Sequence, residues 1–257
     1  MSAPICVIPA RMASSRYPGK PLAPILGLPL VLHVWHRCLL YERFSDVLIA
    51  TCDPEIIEAA ERHGARAVLT SDRHERATDR VQEAVETQFP DLWGDRVVVM
   101  VQGDELLVSP DLISLVIEHQ RASDAPVVNL GSRLRRAEDR TDPNTVKVVA
   151  APDGHVLYFS RAPIPSATRR AEVPAYQQTG VMAFTWNFLV RFAELSQTPL
   201  EIAESVDMLR PIEHGIPVHI VLTETETIGV DTPADRDRGE ELLAADPLTA
   251  RYLEGVA

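Results

Sequence analysis

One short segment near the middle of the chain constrains the fold more than any other. Residues 97–101 read Val-Val-Val-Met-Val, and Gln102, Gly103 and Asp104 follow at once. A run this apolar and rich in β-branched residues predicts a central strand buried on both faces, as in parallel sheets covered by helices. Ligands of such sheets bind at the carboxyl ends of the strands, so the polar turn after this run is a candidate site.

The amino-terminal half alternates between strand and helix patterns. The expected strands are 5–8, 47–50 and 67–69, and the expected helices are 30–39, 54–63, 79–87 and 111–119. Helices that alternate with short strands in this way predict a doubly wound parallel arrangement.

The pattern changes after about residue 122, where turn signals such as Asp153-Gly154 separate short apolar runs. We expect antiparallel strands at 127–130, 146–150 and 156–159, strands at 181–184 and 218–222, and helices at 199–213 and 233–244. The sequence therefore predicts an α/β fold in which both halves share one mixed sheet. Helices flank this sheet, and a smaller antiparallel subregion covers the site.

Charge and hydropathy exclude several classes of partner. The chain has 25 basic and 37 acidic residues among 257, which gives a formal charge of -12 and argues against nucleic-acid binding. We expect the segment MSAPICVIPAR to be neither a signal peptide nor a membrane span, and no apolar stretch reaches 18 residues. Three isolated cysteines form neither a disulfide framework nor a metal motif. We expect a cytoplasmic protein without a membrane partner.

A basic loop follows the first expected strand. The loop between Pro9 and Pro21 contains three cationic residues, Arg11, Arg16 and Lys20. Lys20 is informative because only two of the 25 basic residues of the chain are lysines. The loop also contains three small residues, Ser14, Ser15 and Gly19, which let backbone N–H groups approach a ligand closely. Fixed charge and convergent donors suit a polyphosphate, whereas the alternative is a solvated basic loop. The loop matches neither G-x-x-x-x-G-K-[ST] nor G-x-G-x-x-G.

Two carboxylates are candidate ligands for Mg²⁺. Asp104 projects from the carboxyl end of the expected central strand, and Asp231 precedes the last expected helix. Mg²⁺ commonly binds one or two carboxylates together with phosphate oxygens, so this pair would suffice. The alternatives are that Asp104 caps a helix, and that Asp231 caps the last helix with Pro233 near its first position.

A third polar segment, residues 71–80, follows the third expected strand. It contains Arg73, Arg76 and Arg80, and Thr78 is a candidate cap for the helix that follows. The alternative is an exposed helix start without a ligand.

Together these motifs resemble the 3-deoxy-manno-octulosonate cytidylyltransferases, the CMP-Kdo synthetases. The resemblance spans nearly the whole chain, with the motifs in the family's order and spacing. They are IPARMASSRYPGKPL at 8–22, VQGDE at 101–105, DPNTVKVV at 142–149, LYFSRAPIP at 157–165, PLE at 199–201 and GVDTPAD at 229–235. The resemblance implies a nucleotidyltransferase fold like the glycosyltransferase type A domains, CTP as cosubstrate, Mg²⁺ as cofactor and usually a homodimer.

The resemblance also implies roles for individual residues. The catalytic residues would be Arg11, Lys20 and Asp104, and the ligands of Mg²⁺ would be Asp104 and Asp231. The nucleotide would contact Ala10, Arg11, Ser14, Arg16, Lys20, Arg76, Thr78, Gln102 and Asp104. The acceptor would contact Arg76, Gln102, Arg161, Gln178, Glu204 and Asp207. We expect one domain over 1–257, with a CTP-binding half at 1–122 and a half for acceptor binding and dimerisation at 123–257.

The chain departs from the family pattern on the acceptor side. Gln178, Met182 and Met208 stand where the family usually has histidine, tyrosine and glutamine, and Arg76 stands where it has a small polar residue. A large polyol needs several placed hydrogen-bond partners, whereas a small multiply charged acid favours an added arginine. The departures favour a small phosphonate such as phosphonoformate, as in phosphonate antibiotic biosynthesis. The alternative is a divergent CMP-Kdo synthetase of lipopolysaccharide synthesis.

Two other classes of function make different demands on the sequence. A glycosyltransferase of the same fold predicts a D-x-D metal motif, but the chain has Gln102-Gly103-Asp104. A non-catalytic nucleotide-binding regulator predicts the loss of basic or acidic site residues, yet Arg11, Lys20 and Asp231 are present together with Asp104. A cytidylyltransferase is the function that the sequence favours. An acceptor oxygen would attack the α-phosphorus of CTP, and pyrophosphate would leave.

Overall fold

Strands from both halves of the chain form one mixed sheet. The structure is a computed structural model that describes residues 2–14, 16–123, 125–166, 168–169 and 174–254. Within these residues the strands are β1 Ile5–Pro9, β2 Pro24–Ile25, β3 Leu28–Pro29, β4 Asp46–Thr51, β5 Arg66–Leu69, β6 Val97–Val101, β7 Val127–Arg133, β8 Lys147–Ala150, β9 Val156–Ser160, β10 Tyr176–Thr185 and β11 His219–Thr223.

Helices pack on the two faces of this sheet. The α-helices are α1 Leu30–Leu39, α2 Pro54–Arg62, α3 Ala77–Gln88, α4 Pro110–Ser123, α5 Trp186–Glu194, α6 Pro199–Glu204, α7 Leu209–Glu213, α8 Pro233–Ala245 and α9 Pro247–Leu253. Two 3₁₀ helices, Lys20–Leu22 and Glu138–Arg140, lie in loops. None of the described helices is long and apolar enough to cross a lipid bilayer.

The order of strands across the sheet is β11-β7-β10-β6-β1-β4-β5, and β8 and β9 extend it beside β10. The neighbours β6, β1, β4 and β5 run parallel, as the alternating pattern predicts. β10 runs antiparallel to both β6 and β7, so the second half of the chain joins the sheet in the opposite direction. The predicted mixed α/β sheet is confirmed, and β2 and β3 form a separate small antiparallel sheet.

The strand at residues 97–101 lies at the centre, as its composition predicts. Every residue of β6 is buried, and alternate side chains point to opposite faces of the sheet. Val97, Val99 and Val101 join the core that α1, α2 and α4 cover. Val98 and Met100 join the core that α3 and α5 cover. Burial on both faces explains why the run is continuous rather than alternating.

The prediction of one helix at 199–213 is wrong. The chain forms α6 and α7 instead, and Ser205 between them adopts a left-handed conformation with φ of 51°. A helix cannot continue through such a residue, and this break turns the chain so that residues 205–207 face a cavity. The sequence patterns also missed α5 and α9, whose bulky apolar residues pack against the sheet and against α1.

Candidate active site

The carboxyl ends of β1 and β6 lie side by side, and the loops that follow them meet there. Gly103 donates its N–H to the Pro9 carbonyl at 3.2 Å. A Cβ atom at position 103 would lie 3.1 Å from that carbonyl oxygen and 3.2 Å from the Cβ of Ala10. Glycine at 103 therefore lets the turn 102–105 approach the basic loop closely.

The basic loop folds back on itself before Lys20. Gly19 donates its N–H to the Met12 carbonyl at 3.0 Å and has a φ of 76°, which glycine adopts without strain. This turn starts the short 3₁₀ helix at Lys20 and directs its side chain toward the end of β6. Ser15 lies outside the described residues.

Lys20 lies between the two predicted metal-binding carboxylates. Its Nζ donates to Asp104 Oδ2 at 2.5 Å, to Asp231 Oδ1 at 3.0 Å and to the Val230 carbonyl at 3.0 Å. Burial alone would lower the pKa of Lys20, but the charges of Asp104 and Asp231 outweigh that effect and raise it. The lysine is therefore charged, and all three of its donors are satisfied.

Backbone pairing brings the two carboxylates together. Val230 donates its N–H to the Asp104 carbonyl at 3.1 Å, and Leu106 donates to the Ile228 carbonyl at 3.2 Å. The segment 228–230 thus runs beside the turn after β6, which places Asp231 next to Asp104. Arg16 Nη2 lies 3.0 Å from Asp231 Oδ2, so the same carboxylate also contacts the basic loop.

A cavity of about 300 Å³ opens above these groups, and we call it the first cavity. Predicted nucleotide contacts that line it are Ala10, Arg11, Ser14, Arg16, Lys20, Arg76, Gln102 and Asp104. In the described part of the chain, Arg11 makes no hydrogen bond or ion pair, so its guanidinium is available to a ligand. With Arg80, five cationic side chains line this cavity, which suits a polyphosphate.

A second cavity, of about 520 Å³, adjoins the first. Predicted acceptor contacts that line it are Gln102, Arg161, Gln178 and Asp207. Four side chains line both cavities, namely Arg16, Gln102, Asp104 and Asp231. A molecule in one cavity therefore meets a molecule in the other at the carboxylates and Arg16, which is the arrangement that group transfer between two substrates requires.

Arg76 lies in the first cavity rather than the second. Its Nη1 donates to Ser205 Oγ at 2.8 Å, and its Nε lies 3.3 Å from the fully buried Glu201 carboxylate. The arginine connects the start of α3 to the break between α6 and α7, beside the second cavity. Arg76 can therefore contact a substrate that occupies the first cavity, and it does not line the second.

Two predicted contacts line neither cavity. Thr78 is fully buried inside α3, where it donates to Asp207 Oδ2 at 2.6 Å. Glu204 accepts hydrogen bonds from Ser160 Oγ at 2.7 Å and from the Arg161 N–H at 2.8 Å. Burial would raise the pKa of Glu204, but these donors lower it. Both residues support a neighbour that lines the second cavity, and neither faces it.

The helix caps also differ from the expectation. Arg76, not Thr78, is the residue before α3, since the helix begins one residue earlier than Thr78. Thr232, not Asp231, caps α8, and it forms a capping box with Asp235. Because Thr232 satisfies the helix, the Asp231 carboxylate is left to contact Lys20 and Arg16. Pro233 lies in the first turn of α8, as predicted.

Met208 does not face the acceptor side of the site. Its side chain is fully buried in the core that α3 and α5 cover, so this substitution relative to the family changes packing and not a wall of the cavity. Met182 belongs to the same core and is almost fully buried, but it also lines the second cavity, together with Gln178. The expectation that all three positions face the acceptor is therefore wrong for Met208.

Glu105 is a site residue that the sequence analysis did not single out. Its side chain is buried at the wall of the second cavity, and its carboxylate accepts a hydrogen bond from the Gly180 N–H. Burial, with the charges of Asp104 and Asp231, raises the pKa of Glu105 to about 7, although the Gly180 N–H and Lys20 oppose this. Its position directly after Asp104 was the available signal.

The donor set fits a Mg²⁺ ion that is shared with phosphate. Asp104 and Asp231 each place a carboxylate oxygen within 3.0 Å of one atom, Lys20 Nζ, so a cation already sits between them. No cluster of three or more acidic, histidine or cysteine side chains suitable for a metal exists in the described ranges. Two carboxylates leave coordination positions for phosphate oxygens and water, which is how Mg²⁺ commonly binds in nucleotide sites.

Comparison with known proteins identifies the family to which this geometry belongs. The family model described as "Cytidylyltransferase" matches residues 5–225. A 3-deoxy-manno-octulosonate cytidylyltransferase of Geobacter metallireducens is 39% identical over 251 residues, with 93% of this chain and 96% of that protein covered. This chain belongs to the CMP-Kdo synthetase family of cytidylyltransferases. The 3-deoxy-manno-octulosonate cytidylyltransferase of Synechococcus elongatus is 41% identical over 236 residues, with 91% of this chain and 95% of that protein covered.

A solved structure supports the assignment. The CMP:2-keto-3-deoxy-manno-octonic acid synthetase in complex with CTP superposes with a TM-score of 0.85 and is 33% identical. The match covers 95% of this chain and 99% of that one. The protein is therefore a nucleotidyltransferase, and its predicted fold and family are confirmed. The phosphonoformate branch, the metal and the individual site residues remain predictions.

Proposed function

We propose that this cytidylyltransferase transfers CMP from CTP to an acidic acceptor and releases pyrophosphate. The observation that carries the proposal is the cluster of Lys20, Asp104 and Asp231 where the two cavities meet. CTP would occupy the first cavity, with its triphosphate against Arg11, Arg16 and Lys20. The acceptor would occupy the second cavity, on the other side of the shared carboxylates.

The reaction needs little covalent chemistry from the protein. The acceptor oxygen forms a bond to the α-phosphorus of CTP while the bond to the β-phosphate oxygen breaks, and the leaving pyrophosphate takes that electron pair. The residues position the two substrates and neutralise charge on the phosphates. Asp104 and Asp231 would hold Mg²⁺, which supplies further neutralisation of phosphate charge when bound. An acceptor that attacks through an anionic oxygen, such as a phosphonate, needs no base, whereas the hydroxyl of a sugar acid would release its proton to a base such as water.

The relatives support 3-deoxy-manno-octulosonate as the acceptor. The proteins of Geobacter metallireducens and Synechococcus elongatus carry that name, and each is matched over nearly its whole length. The second cavity, at about 520 Å³, has room for an eight-carbon sugar acid. In this case Gln178 and Asp207 would supply hydrogen bonds to its hydroxyl groups.

A specific observation favours a small phosphonate, such as phosphonoformate, as a second candidate. Two side chains of the second cavity, Gln178 and Met182, replace the histidine and tyrosine that the family resemblance implies for sugar recognition. Arg161 also lines this cavity, and its guanidinium donates to three backbone carbonyls, of Pro143, Glu204 and Ser205. An anionic acceptor would meet a rigidly held positive charge there.

The test measures pyrophosphate release from CTP and from ATP with each of the two acceptors. We expect release with CTP, Mg²⁺ and one acceptor, and little with ATP. If no nucleotide yields pyrophosphate with either acceptor, the proposed function is wrong. The acceptor with the higher kcat/KM, by about tenfold or more, is the assigned one.

Variants of the acceptor wall sharpen this comparison. If phosphonoformate is the acceptor, Arg161→Ala should weaken acceptor binding by about 1.5–3 kcal/mol, the range for a hydrogen bond to a charged group, with little change in the affinity for CTP. Arg76→Ser, by contrast, changes a wall of the first cavity and should weaken the binding of CTP. The paired change Gln178→His with Met182→Tyr should then raise turnover of 3-deoxy-manno-octulosonate. Efficient sugar turnover by the unmodified protein would exclude the phosphonate. Arg62→Ala, in an exposed pair with Glu58, is the control.

We also propose that the protein forms a homodimer through its second half and works in the cytoplasm. The resemblance to the CMP-Kdo synthetases, which usually implies a homodimer, supports the dimer. Exposed large apolar side chains of the second half are Leu157, Val190, Leu200, Ile202 and Leu222. Light scattering of the purified protein measures the mass directly, and a monomer at micromolar concentration would contradict the proposal.

A further inference from the structure

Strand β10 is interrupted where it passes the site. Gln178 pairs with Gly131 of β7 and Met182 pairs with Asn129, so the three residues 179–181 lie opposite the single residue Leu130. Gln178 and Met182, at the two ends of this interruption, both line the second cavity. The position of the interrupted segment therefore sets where these two side chains stand.

The turn after β6 contacts both polar groups of the Gly180 backbone. Glu105 accepts the Gly180 N–H, and the Gln102 N–H donates to the Gly180 carbonyl at 2.9 Å. A Cβ atom at position 180 would lie 2.7 Å from Gln102 Cβ and 2.8 Å from Glu105 Cγ. Only glycine fits so close to both side chains, so the segment is in direct contact with the turn that carries Asp104.

The opposite side of the segment is bound by β7. The fully buried Asn129 donates its Nδ2 to the carbonyls of Thr179 at 3.0 Å and Val181 at 3.1 Å. Thr179 Oγ1 donates to the Leu130 carbonyl at 3.0 Å. The backbone groups that lose their ladder partners at the interruption are thus satisfied by side chains, as buried polar groups require.

We propose that Glu105 is a positioning residue for the acceptor, because its hydrogen bond to Gly180 places the wall formed by Gln178 and Met182 at a set distance from Asp104. This inference rests on the proposed function, since it assigns the acceptor to the second cavity. Glu105 acts through the Gly180 backbone and need not touch the substrate. Its side chain is long enough to place a hydrogen-bond acceptor at the Gly180 N–H.

Burial of an acid here requires such a role. Glu105 lies near the acidic groups Asp104 and Asp231. Lys20 contacts both of these carboxylates, and Arg16 contacts Asp231. A third acid beside two carboxylates adds repulsion and desolvation, which a buried apolar side chain would avoid. The hydrogen bond to Gly180 is the contact that offsets this cost.

Two conservative variants separate the effect of side-chain length at position 105 from the effect of charge. Glu105→Gln keeps the side-chain length and an oxygen that accepts the Gly180 N–H, but it removes the charge. Glu105→Asp keeps the charge, but its carboxylate is one methylene shorter. We measure KM for CTP, KM for whichever of 3-deoxy-manno-octulosonate and phosphonoformate the unmodified enzyme turns over, and hydrogen exchange of the Gly180 amide.

We expect Glu105→Gln to behave like the unmodified enzyme in all three measurements. Glu105→Asp should raise KM for the acceptor about tenfold, the size expected for one lost hydrogen bond, with KM for CTP within about twofold. Its Gly180 amide should exchange faster. Gly180→Ala, which forces the segment away from the turn, should reproduce the rise in the acceptor KM.

Three results would overturn the inference. One is a damaged Glu105→Gln with a normal Glu105→Asp, because the charge and not the reach would then matter. Another is an equal rise of both KM values, which indicates a general structural role. The third is unchanged exchange at Gly180 in Glu105→Asp. If neither acceptor is turned over, the proposed function fails by itself, and the exchange measurement still decides whether Glu105 holds Gly180.

Discussion

Removal of the Lys20 ammonium group should reduce both activity and stability, by separable amounts. Lys20 Nζ contacts Asp104 at 2.5 Å and Asp231 at 3.0 Å, and the three side chains are 15%, 20% and 33% exposed. Breaking a fully buried ion pair costs about 3–5 kcal/mol, and breaking an exposed pair costs about 0–1 kcal/mol. For this partly buried cluster we expect Lys20→Ala to cost about 2 kcal/mol, or about 4–8 °C in Tm.

The catalytic loss should exceed the loss of stability. Removal of a preorganised charge beside a reacting phosphate typically lowers kcat/KM by about 10² or more, and Lys20→Ala should do so in the pyrophosphate assay with CTP. Lys20→Arg should recover part of the stability but little of the activity, since a planar guanidinium does not match the three donors of an ammonium.

The same variant tests the metal assignment without turnover. In the unmodified protein the Lys20 ammonium competes with a divalent cation for Asp104 and Asp231. MgCl₂ without nucleotide should therefore raise the Tm of Lys20→Ala more than that of the unmodified protein, because the folded variant offers an unpaired Asp104 beside an Asp231 that is paired only with Arg16. Near-normal turnover, or a smaller rise of Tm with MgCl₂ than in the unmodified protein, would refute this account of the cluster. Arg62→Ala should change neither quantity.

Three other outcomes follow from contacts in the structure. Asp104→Asn should lower kcat/KM by about 10² or more and lower Tm by less than Lys20→Ala does, because Lys20 keeps Asp231 as a partner; an active variant would remove Asp104 from the site. Glu204→Ala should raise KM for the acceptor and not for CTP, because it frees Arg161 and Ser160; equal KM changes would contradict this. Burial lowers the pKa of His36 to about 4, so the unfolded chain takes up a proton first as the pH falls. Unfolding free energy should therefore drop by about 1–2 kcal/mol between pH 6.5 and 4, after allowance for partial exposure. Denaturant titrations should show a smaller drop for His36→Gln.

Much of the fold followed from local patterns in the sequence. The apolar run 97–101 predicted the central strand β6, because burial on both faces demands a continuous apolar segment. Lys20 and Asp104 both follow strands, and the sequence predicted a site at the carboxyl ends of the strands, which is where the structure brings the two residues together. Both conclusions rest on the local order of apolar and polar residues along the chain.

The partners of the site side chains were decided only by the tertiary structure. Asp231 binds Lys20 and leaves the cap of α8 to Thr232, because residues 228–230 pair with the turn after β6. The left-handed Ser205 divides a helix that looks continuous in sequence. Met208 packs in the core, although a comparison of motifs placed it beside the acceptor.

Glu105 shows most directly why the partners of polar side chains could not be predicted from the sequence. The sequence placed this acid beside Asp104, but its partner is the backbone N–H of Gly180, 75 residues away along the chain. Every residue except proline has a backbone N–H, so the type of the partner residue does not indicate this contact. The close approach requires glycine at position 180, and that is the sequence feature connected with it. Hydrophobic patterns determine which segments become strands and helices, whereas the direction of a polar side chain depends on donors that distant segments bring to it.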